Sequence, residues 1–366
     1  MPRVILGLLL ACSMAGALVN AQTSTPYKLG TFERDGQTFV GVVLRESVVI
    51  DFSAAHAAIP SSSLTLVPPV DMKDLIVRYD TGLRARIVEI VGSVEAAGAT
   101  PPPYAHPLSA VNVLPPIMYP TTMLNVAVNY AAHDAEMAAL RDQVPGAGVP
   151  TAGAALAGTV SAPGIWERAE TDGRWTPYVF TKLPAAIIAD GEAIRLPPGR
   201  VRVDWECELG LVIGRPTARV AVAEAADYIF GYTIENDVSD RAGRGDTRYG
   251  SDWVISKNHD TFAPMGPFIT PKEFVADPQN LAIRFVLNDE VMQESTTSLM
   301  IHNVYEQVAY TSGIMTLRPG DVIATGTPAG VGSARTPPVY FKDGDRSECS
   351  YEGIGTLTNP VVGPTP

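Results

Sequence analysis

Two glutamates lie two positions apart in an apolar stretch, VDWECELGLVIG, at residues 203–214. On a β-strand, residues i and i+2 point to the same face, so Glu206 and Glu208 share one face and Cys207 belongs to the apolar one. Two carboxylates this close raise each other's pKa unless a cation or several donors compensate. A hard divalent cation compensates well because it prefers carboxylate oxygens. The alternative is a solvated strand face, which is common for glutamates.

A second group of acids follows the strand-like start of YIFGYTIENDVSDR, residues 228–241. In chain order it contains Glu235, Asn236, Asp237, Ser239, Asp240 and Arg241. A cluster of this kind at a strand end can meet the glutamate pair and complete a cation site. The alternative is a polar turn, because Asp, Asn and Ser are residues that turns favour.

Two further segments contain residue types that suit catalysis. In NYAAHDAEM, His133 and Glu136 are three positions apart and therefore adjacent on a helix. A carboxylate beside an imidazole fixes its tautomer and raises its basicity, as a general base requires, although an ordinary surface helix is the alternative. The Gly-rich segment RPGDVIATGTPAGVG has backbone N–H groups that suit a substrate carboxylate or enolate oxygen, but it lacks the phosphate-loop patterns.

The composition limits the partners and the compartment. The chain has 366 residues, which suggests about two domains, and its net charge of −12 argues against nucleic-acid partners. Residues 1–21 have the pattern of a signal peptide, which predicts an exported, periplasmic or secreted protein without a membrane span after cleavage. A lipoprotein site at Cys12 and a buried N-terminal helix are the alternatives.

The remaining pattern predicts an α+β fold that is mostly β. Residues 27–52 are typical of a β-meander, and Pro-rich breaks near 114–120 divide a small N-terminal domain, residues 22–115, from a catalytic domain, residues 120–366. The Pro/Gly/Ala-rich insert at about 142–164 is interpreted as a mobile loop. Export permits a disulfide between Cys207 and Cys349, but two distant cysteines are not a disulfide framework, so two free buried thiols are expected.

Seven segments, in this order, make the chain from about residue 120 to 360 resemble the fumarylacetoacetate hydrolase family. They are NYAAHDAE, YVFTKLPAAI, DWECELGLVIG, GYTIENDVSDR, SKNHDTFAPMGPFIT, LRPGDVIATGTPAGVG and GDRSECSYEGIGTLTNPV. The resemblance implies a catalytic domain of mixed β-sheets in a roll or barrel, usually as a homodimer. It also implies Mg²⁺, or Mn²⁺ or Ca²⁺, held by Glu206, Glu208 and Asp237.

The same resemblance implies roles for further residues. His133 and Glu136 correspond to the pair that activates water in some members, and Lys257 corresponds to the lysine near the metal. The substrate-binding positions of the family correspond to Arg241, Thr261 and Thr327. Arg244 departs from the glutamine common at that position, and the added cation favours a more acidic substrate unless its side chain points away.

The implied function is cleavage of a C–C bond in an acylpyruvate-like or fumarylacetoacetate-like 2-oxo or β-diketo acid, with the cation stabilising an enolate. The alternative within the family is an isomerase, hydratase or decarboxylase of 2-oxo acids from aromatic catabolism, of the 2-hydroxyhepta-2,4-diene-1,7-dioate isomerase or 2-keto-4-pentenoate hydratase type. A third hypothesis is a non-catalytic, exported 2-oxo acid binding protein.

Overall fold

The computed structural model describes residues 25–60, 66–98, 100–143, 162–167, 169, 171–242 and 252–364. The expected signal peptide, most of the insert and Arg244 lie outside these residues. No helix in the described part of the chain is long and apolar enough to cross a membrane.

The described chain forms nineteen strands and six α-helices. The strands are β1 (Lys28–Arg34), β2 (Gln37–Leu44), β3 (Val48–Asp51), β4 (Ala105–Pro107), β5 (Asn112–Leu114), β6 (Met123–Ala127), β7 (Tyr178–Thr181), β8 (Ile187–Ile188), β9 (Ile194–Arg195), β10 (Val203–Asp204), β11 (Cys207–Ile213), β12 (Ile229–Asn236), β13 (Ser239–Asp240), β14 (Ala263–Pro271), β15 (Ala282–Leu287), β16 (Glu290–Thr296), β17 (Val322–Ala324), β18 (Arg346–Tyr351) and β19 (Gly355–Val362). The helices are α1 (Phe52–Ala58), α2 (Met72–Arg78), α3 (Leu83–Ala97), α4 (Ala131–Gln143), α5 (Trp253–Lys257) and α6 (Val304–Ile314).

The predicted N-terminal meander is present as β1, β2 and β3. The turn between β1 and β2 is made by Asp35 and Gly36, whose φ angles are 52° and 76°, the left-handed region that such a hairpin turn requires. Asp71 caps α2 as expected, because its side chain accepts a hydrogen bond from the Asp74 N–H. Buried aliphatic residues of α3 then pack against the meander strands in one apolar cluster.

One large sheet runs through both halves of the chain. Its strand order is β4-β3-β2-β1-β14-β12-β11-β17-β6-β7, with β5 beside β1 and β8 beside β14. Strand β1 pairs with β14 through Leu29 and Ile269, so the N-terminal strands extend the sheet that carries the predicted site. The division near residues 115–120 stays a prediction.

A second sheet has the order β16-β15-β18-β19-β9, and β10 pairs separately with β13. Apolar side chains of β11 and β15 fill the space between the two larger sheets, together with Trp205, which lies between β10 and β11 and stacks on Phe285 at 5.1 Å between ring centroids. The mixed, mostly β fold expected from the sequence is confirmed, but the described strands form open sheets and not a closed barrel.

Cys207 and Cys349 form a disulfide, so the expectation of two free thiols is wrong. The two residues are 142 positions apart in sequence, yet their Cα atoms lie 5.5 Å apart. The reason is tertiary: β11 and β18 belong to different sheets that pack face to face, and this contact is invisible in the spacing of the cysteines.

Candidate metal centre and active site

The antiparallel pairing of β11 with β12 brings the predicted acids together. Cys207 is opposite Asn236 in the ladder, and beyond it the Asp237 N–H donates to the Glu206 carbonyl at 2.8 Å. Glu206, Glu208 and Asp237 are buried, and each contributes a carboxylate oxygen to a group whose members all lie within 4.8 Å of one another. The predicted trio is therefore one compact cluster at the end of the two strands.

Lys257, at the end of α5, forms hydrogen bonds with two members of the trio and with Ser239. Its Nζ donates to Glu206 Oε2 at 2.8 Å, to Asp237 Oδ2 at 2.5 Å and to the Ser239 hydroxyl at 2.7 Å. Burial alone lowers the pKa of Lys257, but the Asp237 and Glu206 carboxylates outweigh it and raise that pKa above the ordinary value. With all three N–H groups engaged, this ammonium is a fixed positive charge.

Arg241 forms a second bridge between acids. Its Nε donates to Asp204 Oδ1 and its Nη2 donates to Glu206 Oε1, both at 2.6 Å. Burial raises the pKa of Glu206, but Lys257 and Arg241 overcome this effect and hold it well below the usual range. The second oxygen of Asp204 accepts from the Ser333 N–H at 2.7 Å, which fixes the position of the arginine.

The site carries more buried negative charge than positive charge. Its carboxylates are Asp204, Glu206, Glu208, Glu235 and Asp237, and its cations are Lys182, Arg241 and Lys257, all buried. With every group ionised, five carboxylates against three cations leave two negative charges. Burial and neighbouring carboxylates raise the pKa of Glu208 well above its usual range and that of Glu235 to about 8. Either protons on Glu208 and Glu235 or one divalent cation would balance this surplus.

The donor set also fits a divalent cation by its chemistry. Three carboxylates are the hard oxygen ligands that Mg²⁺, Mn²⁺ and Ca²⁺ take. Glu208 is held for such a role because its Oε2 accepts a hydrogen bond from the Gly326 N–H at 2.9 Å. The observed cluster therefore indicates a divalent metal, without distinguishing among these ions.

His133 and Glu136, on α4, lie beside the acid cluster. His133 Nδ1 is 3.3 Å from Glu136 Oε2, and His133 Nε2 is 4.0 Å from Glu206 Oε1. Both oxygens of Glu136 accept from the Gly330 N–H, at 2.9 and 3.1 Å. The pair thus has a fixed carboxylate on one side of the imidazole and the acid cluster on the other.

The N–H groups of the Gly-rich loop bind carboxylates of the protein itself. The sequence had predicted that they bind a substrate anion. Gly326 donates to Glu208, and Gly330 donates to Glu136. Gly330 has φ +106°, and a Cβ there would lie 2.1 Å from the Met292 carbonyl oxygen, so only glycine fits.

A cavity of ≈ 400 Å³, including its open mouth, lies over the cluster. Its polar lining is Glu206, Glu208, Lys257, Arg241, Thr327 and His133, and its apolar lining includes Val126, Val128, Met137 and Trp253. Val128 has φ 49°, a strained conformation for a β-branched residue. The hydroxyl of Thr327 donates to the Cys207 carbonyl and accepts from Gln293.

The structure does not bring every predicted residue to this cavity. The Thr261 hydroxyl accepts from the Arg195 N–H, at 2.8 Å, and Thr261 is not part of the lining. Arg244 lies outside the described residues.

Sequence reasoning missed Asp204 and Lys182 as members of the site, and it named Glu235 only as part of the acid group without a role of its own. Lys182 Nζ lies 2.6 Å from Asp237 Oδ1, and Glu235 is opposite Glu208 in the ladder. All three stand within quoted motifs, and aligning the two acidic strands antiparallel would have placed Glu235 beside Glu208.

Comparison with known proteins agrees with this geometry. The family described as "Fumarylacetoacetate (FAA) hydrolase C-terminal" matches residues 122–362. The chain is 35% identical over 325 residues to "Oxaloacetate tautomerase FAHD2A, mitochondrial" from Bos taurus, which covers 87% of this chain and 92% of that protein. It is 32% identical over 320 residues to "Oxaloacetate tautomerase fahd2, mitochondrial" from Xenopus laevis, covering 86% and 90%.

Two solved structures extend the comparison. The 5-carboxymethyl-2-hydroxymuconate delta-isomerase from Mycobacterium smegmatis matches with TM-score 0.61 and 31% identity over 93% of this chain and 100% of that one. The maleylpyruvate hydrolase from Sphingobium sp. SYK-6, in complex with manganese(II) ion and pyruvate, matches with TM-score 0.63 and 27% identity over 92% and 100%. These relatives are enzymes, isomerases and hydrolases among them, and the chain belongs to the fumarylacetoacetate hydrolase family.

Proposed function

We propose that the chain is a divalent-cation-dependent enzyme that interconverts the enol and keto forms of a small 2-oxo acid. The observation that carries this proposal is the position of His133, with one ring nitrogen beside Glu136 and the other 4.0 Å from Glu206 Oε1. Moving a proton to or from the carbon next to a carbonyl requires a base close to a centre that polarises that carbonyl. The His133–Glu136 pair and the acid cluster meet this requirement.

The residues divide the work between binding and proton transfer. A divalent cation on Glu206, Glu208 and Asp237 would polarise the 2-oxo group and stabilise negative charge on its oxygen. Lys257 adds a fixed positive charge and does not exchange protons while its three hydrogen bonds persist. In the enol-to-keto direction, His133, oriented by Glu136, takes the proton from the enol hydroxyl and delivers it to the adjacent carbon; in the other direction it takes the proton from that carbon and returns it to the oxygen.

The relatives support this choice over C–C hydrolysis as the first candidate. The relatives from Bos taurus and Xenopus laevis, which this chain covers over 92% and 90% of their length, are named for oxaloacetate tautomerisation. A tautomerase needs one base and one polarising centre, whereas a hydrolase must also position a water molecule. We therefore propose a 2-oxo acid of the size of oxaloacetate as the substrate.

The test follows the ultraviolet absorbance of enol-oxaloacetate as it converts to the keto form. Residues 22–366 are assayed with Mg²⁺, with Mn²⁺ and with excess chelator, and Glu208→Gln is compared with Glu224→Gln, an exposed acid on the surface. We expect cation-dependent acceleration that Glu208→Gln abolishes and Glu224→Gln retains. If enol-oxaloacetate converted to the keto form at the same rate with and without the protein at saturating cation, the proposed function would be wrong.

The second candidate is hydrolysis of a C–C bond in an acylpyruvate. It is favoured by the pair of the buried His133 and the half-buried Glu136, whose two oxygens accept from the Gly330 N–H; such a pair suits activation of water as well as proton transfer to carbon. NMR detection of pyruvate and a free acid from an acylpyruvate, lost in His133→Ala, would put this reaction first. Tight 2-oxo acid binding in calorimetry without any turnover would instead favour the binding-protein hypothesis.

A further inference from the structure

The disulfide lies directly behind the cation-binding acids. Cys207 stands between Glu206 and Glu208, with its side chain in the core on the opposite face of the strand. Its partner Cys349 is on β18, in the five-stranded sheet. The bond therefore joins the strand that presents two of the three acids to a different sheet.

Hydrogen bonds reinforce this attachment at the same residue. The Cys207 N–H donates to Gln293 Oε1 at 3.2 Å, and its carbonyl accepts from the Thr327 hydroxyl at 3.1 Å and the Tyr351 hydroxyl at 3.3 Å. A residue held by its backbone and its side chain cannot shift along or away from the sheet. Glu206 and Glu208 are its direct neighbours in the chain, so their backbone positions are fixed with it.

The acid cluster gives a reason for such an attachment. Glu206, Glu208 and Asp237 bring carboxylate oxygens within 4.8 Å of one another, so these acids repel each other whenever neither a proton nor a cation neutralises them. Hydrogen bonds at the strand end are individually weak and can open. The covalent link to β18 holds β11 at Cys207 and so limits how far Glu206 and Glu208 can move under that repulsion, without adding charge to the site.

We propose that the Cys207–Cys349 disulfide positions Glu206 and Glu208 for cation binding, and that it closes during folding in an oxidising compartment. This inference rests on the cation site of the proposed function. The two cysteines are 0% and 1% exposed, so the packed sheets shield the sulfurs from thiol exchange. The two thiols give up two protons and two electrons to an external disulfide, which becomes two thiols. Such a compartment agrees with the export expected from residues 1–21.

The first experiment counts thiols. Protein that is exported from the cell and then unfolded without reductant is treated with a thiol-specific alkylating reagent and weighed by mass spectrometry. We expect neither Cys207 nor Cys349 to be alkylated, and both to be alkylated after reduction of the unfolded chain. Alkylation of both residues without reduction would overturn closure of the bond.

The second experiment measures cation affinity. Calorimetry with Mn²⁺ compares the oxidised wild type with the double variant Cys207→Val/Cys349→Val, which keeps apolar groups of similar size in the core. We expect the Kd for Mn²⁺ to rise about tenfold or more, the range typical for losing support behind metal ligands. The matched control is Ile87→Ala, at a buried residue of α3 that does not line the cavity over the acids, and we expect it to lower the unfolding midpoint without changing the Kd.

The outcomes separate this inference from the proposed function. If the wild type and the double variant bind Mn²⁺ equally, the positioning role is wrong while the cation site stands. If the oxidised wild type binds no Mn²⁺, the cation site fails and the positioning role fails with it, whereas the thiol count still decides whether the bond closes.

Discussion

The buried carboxyl of Glu235 allows the charge balance of the site to be tested through stability. Glu235 is opposite Glu208 in the β11–β12 ladder, and its Oε2 accepts a hydrogen bond from Asn125 at 2.7 Å. Burial and the Asp237 carboxylate raise the pKa of Glu235 from 4.5 to about 8. In the cation-free protein, the folded state therefore keeps a proton that the unfolded chain has already released at neutral pH.

The sign and the size of the effect follow from proton linkage. Between pH 4.5 and about 8 the folded state binds more protons than the unfolded state, so the free energy of unfolding falls as the pH rises. The loss is about 1.4 kcal/mol per pH unit, or about 5 kcal/mol over that window as an upper value. Glutamine at position 235 has no proton to lose, retains an oxygen for the Asn125 amide and removes this dependence.

The assay is urea unfolding in excess chelator, near pH 5 and near pH 8, for the wild type and for Glu235→Gln. We expect similar stabilities at the lower pH and a variant that is more stable by several kcal/mol at the higher pH. Saturating Mn²⁺ should flatten the pH dependence of the wild type, because the cation takes over the neutralisation. If the free energy of unfolding changed with pH in the same way for the two proteins from pH 5 to pH 8, Glu235 would not be the group that releases a proton over this range.

Three further substitutions test other parts of the site. Glu136→Gln should lower kcat by about 100-fold because it weakens the base, while calorimetry shows an unchanged Kd for Mn²⁺; a lowered cation affinity would contradict the assigned role. Asp204→Asn leaves the buried Arg241 without one carboxylate and should lower the free energy of unfolding by about 3 kcal/mol in urea, and an unchanged midpoint would contradict it. Trp205→Phe removes the hydrogen bond from the indole N–H to the Gly330 carbonyl and some buried volume, so we expect a loss of about 2 kcal/mol by the same assay, whereas full stability would show that the indole contributes no more than a phenyl ring.

The acid cluster was predictable because its chemistry is local in sequence. Glu206 and Glu208 are separated by one residue, and the strand period alone places them on one face. Asp237 required the further assumption that its segment lies beside theirs, and its place among the metal ligands came from the family resemblance. The antiparallel ladder provides this pairing, with Cys207 opposite Asn236.

The disulfide was not predictable, because nothing in the sequence between residues 207 and 349 specifies that two separate sheets pack against each other. The use of the Gly-rich loop was missed for a similar reason. Its N–H groups suit any anion, and only the folded chain shows that Glu208 and Glu136 are the anions they bind. Local spacing identifies which groups can do chemistry, whereas tertiary packing decides which partner each group takes.

The burial of β11 on both faces connects the fold to the chemistry. A strand with one solvated face could carry Glu206 and Glu208 at little cost, as the alternative interpretation of the sequence required. Here β11 lies between β12 and β17 in the large sheet, and every residue from Cys207 to Ile213 is buried. Carboxylates in that position must be neutralised by protons, by Lys257 and Arg241, or by a bound cation. With every group ionised, Lys257, Arg241 and Lys182 leave two negative charges unbalanced. The fold therefore requires either protons on these carboxylates or a divalent ion at this strand end.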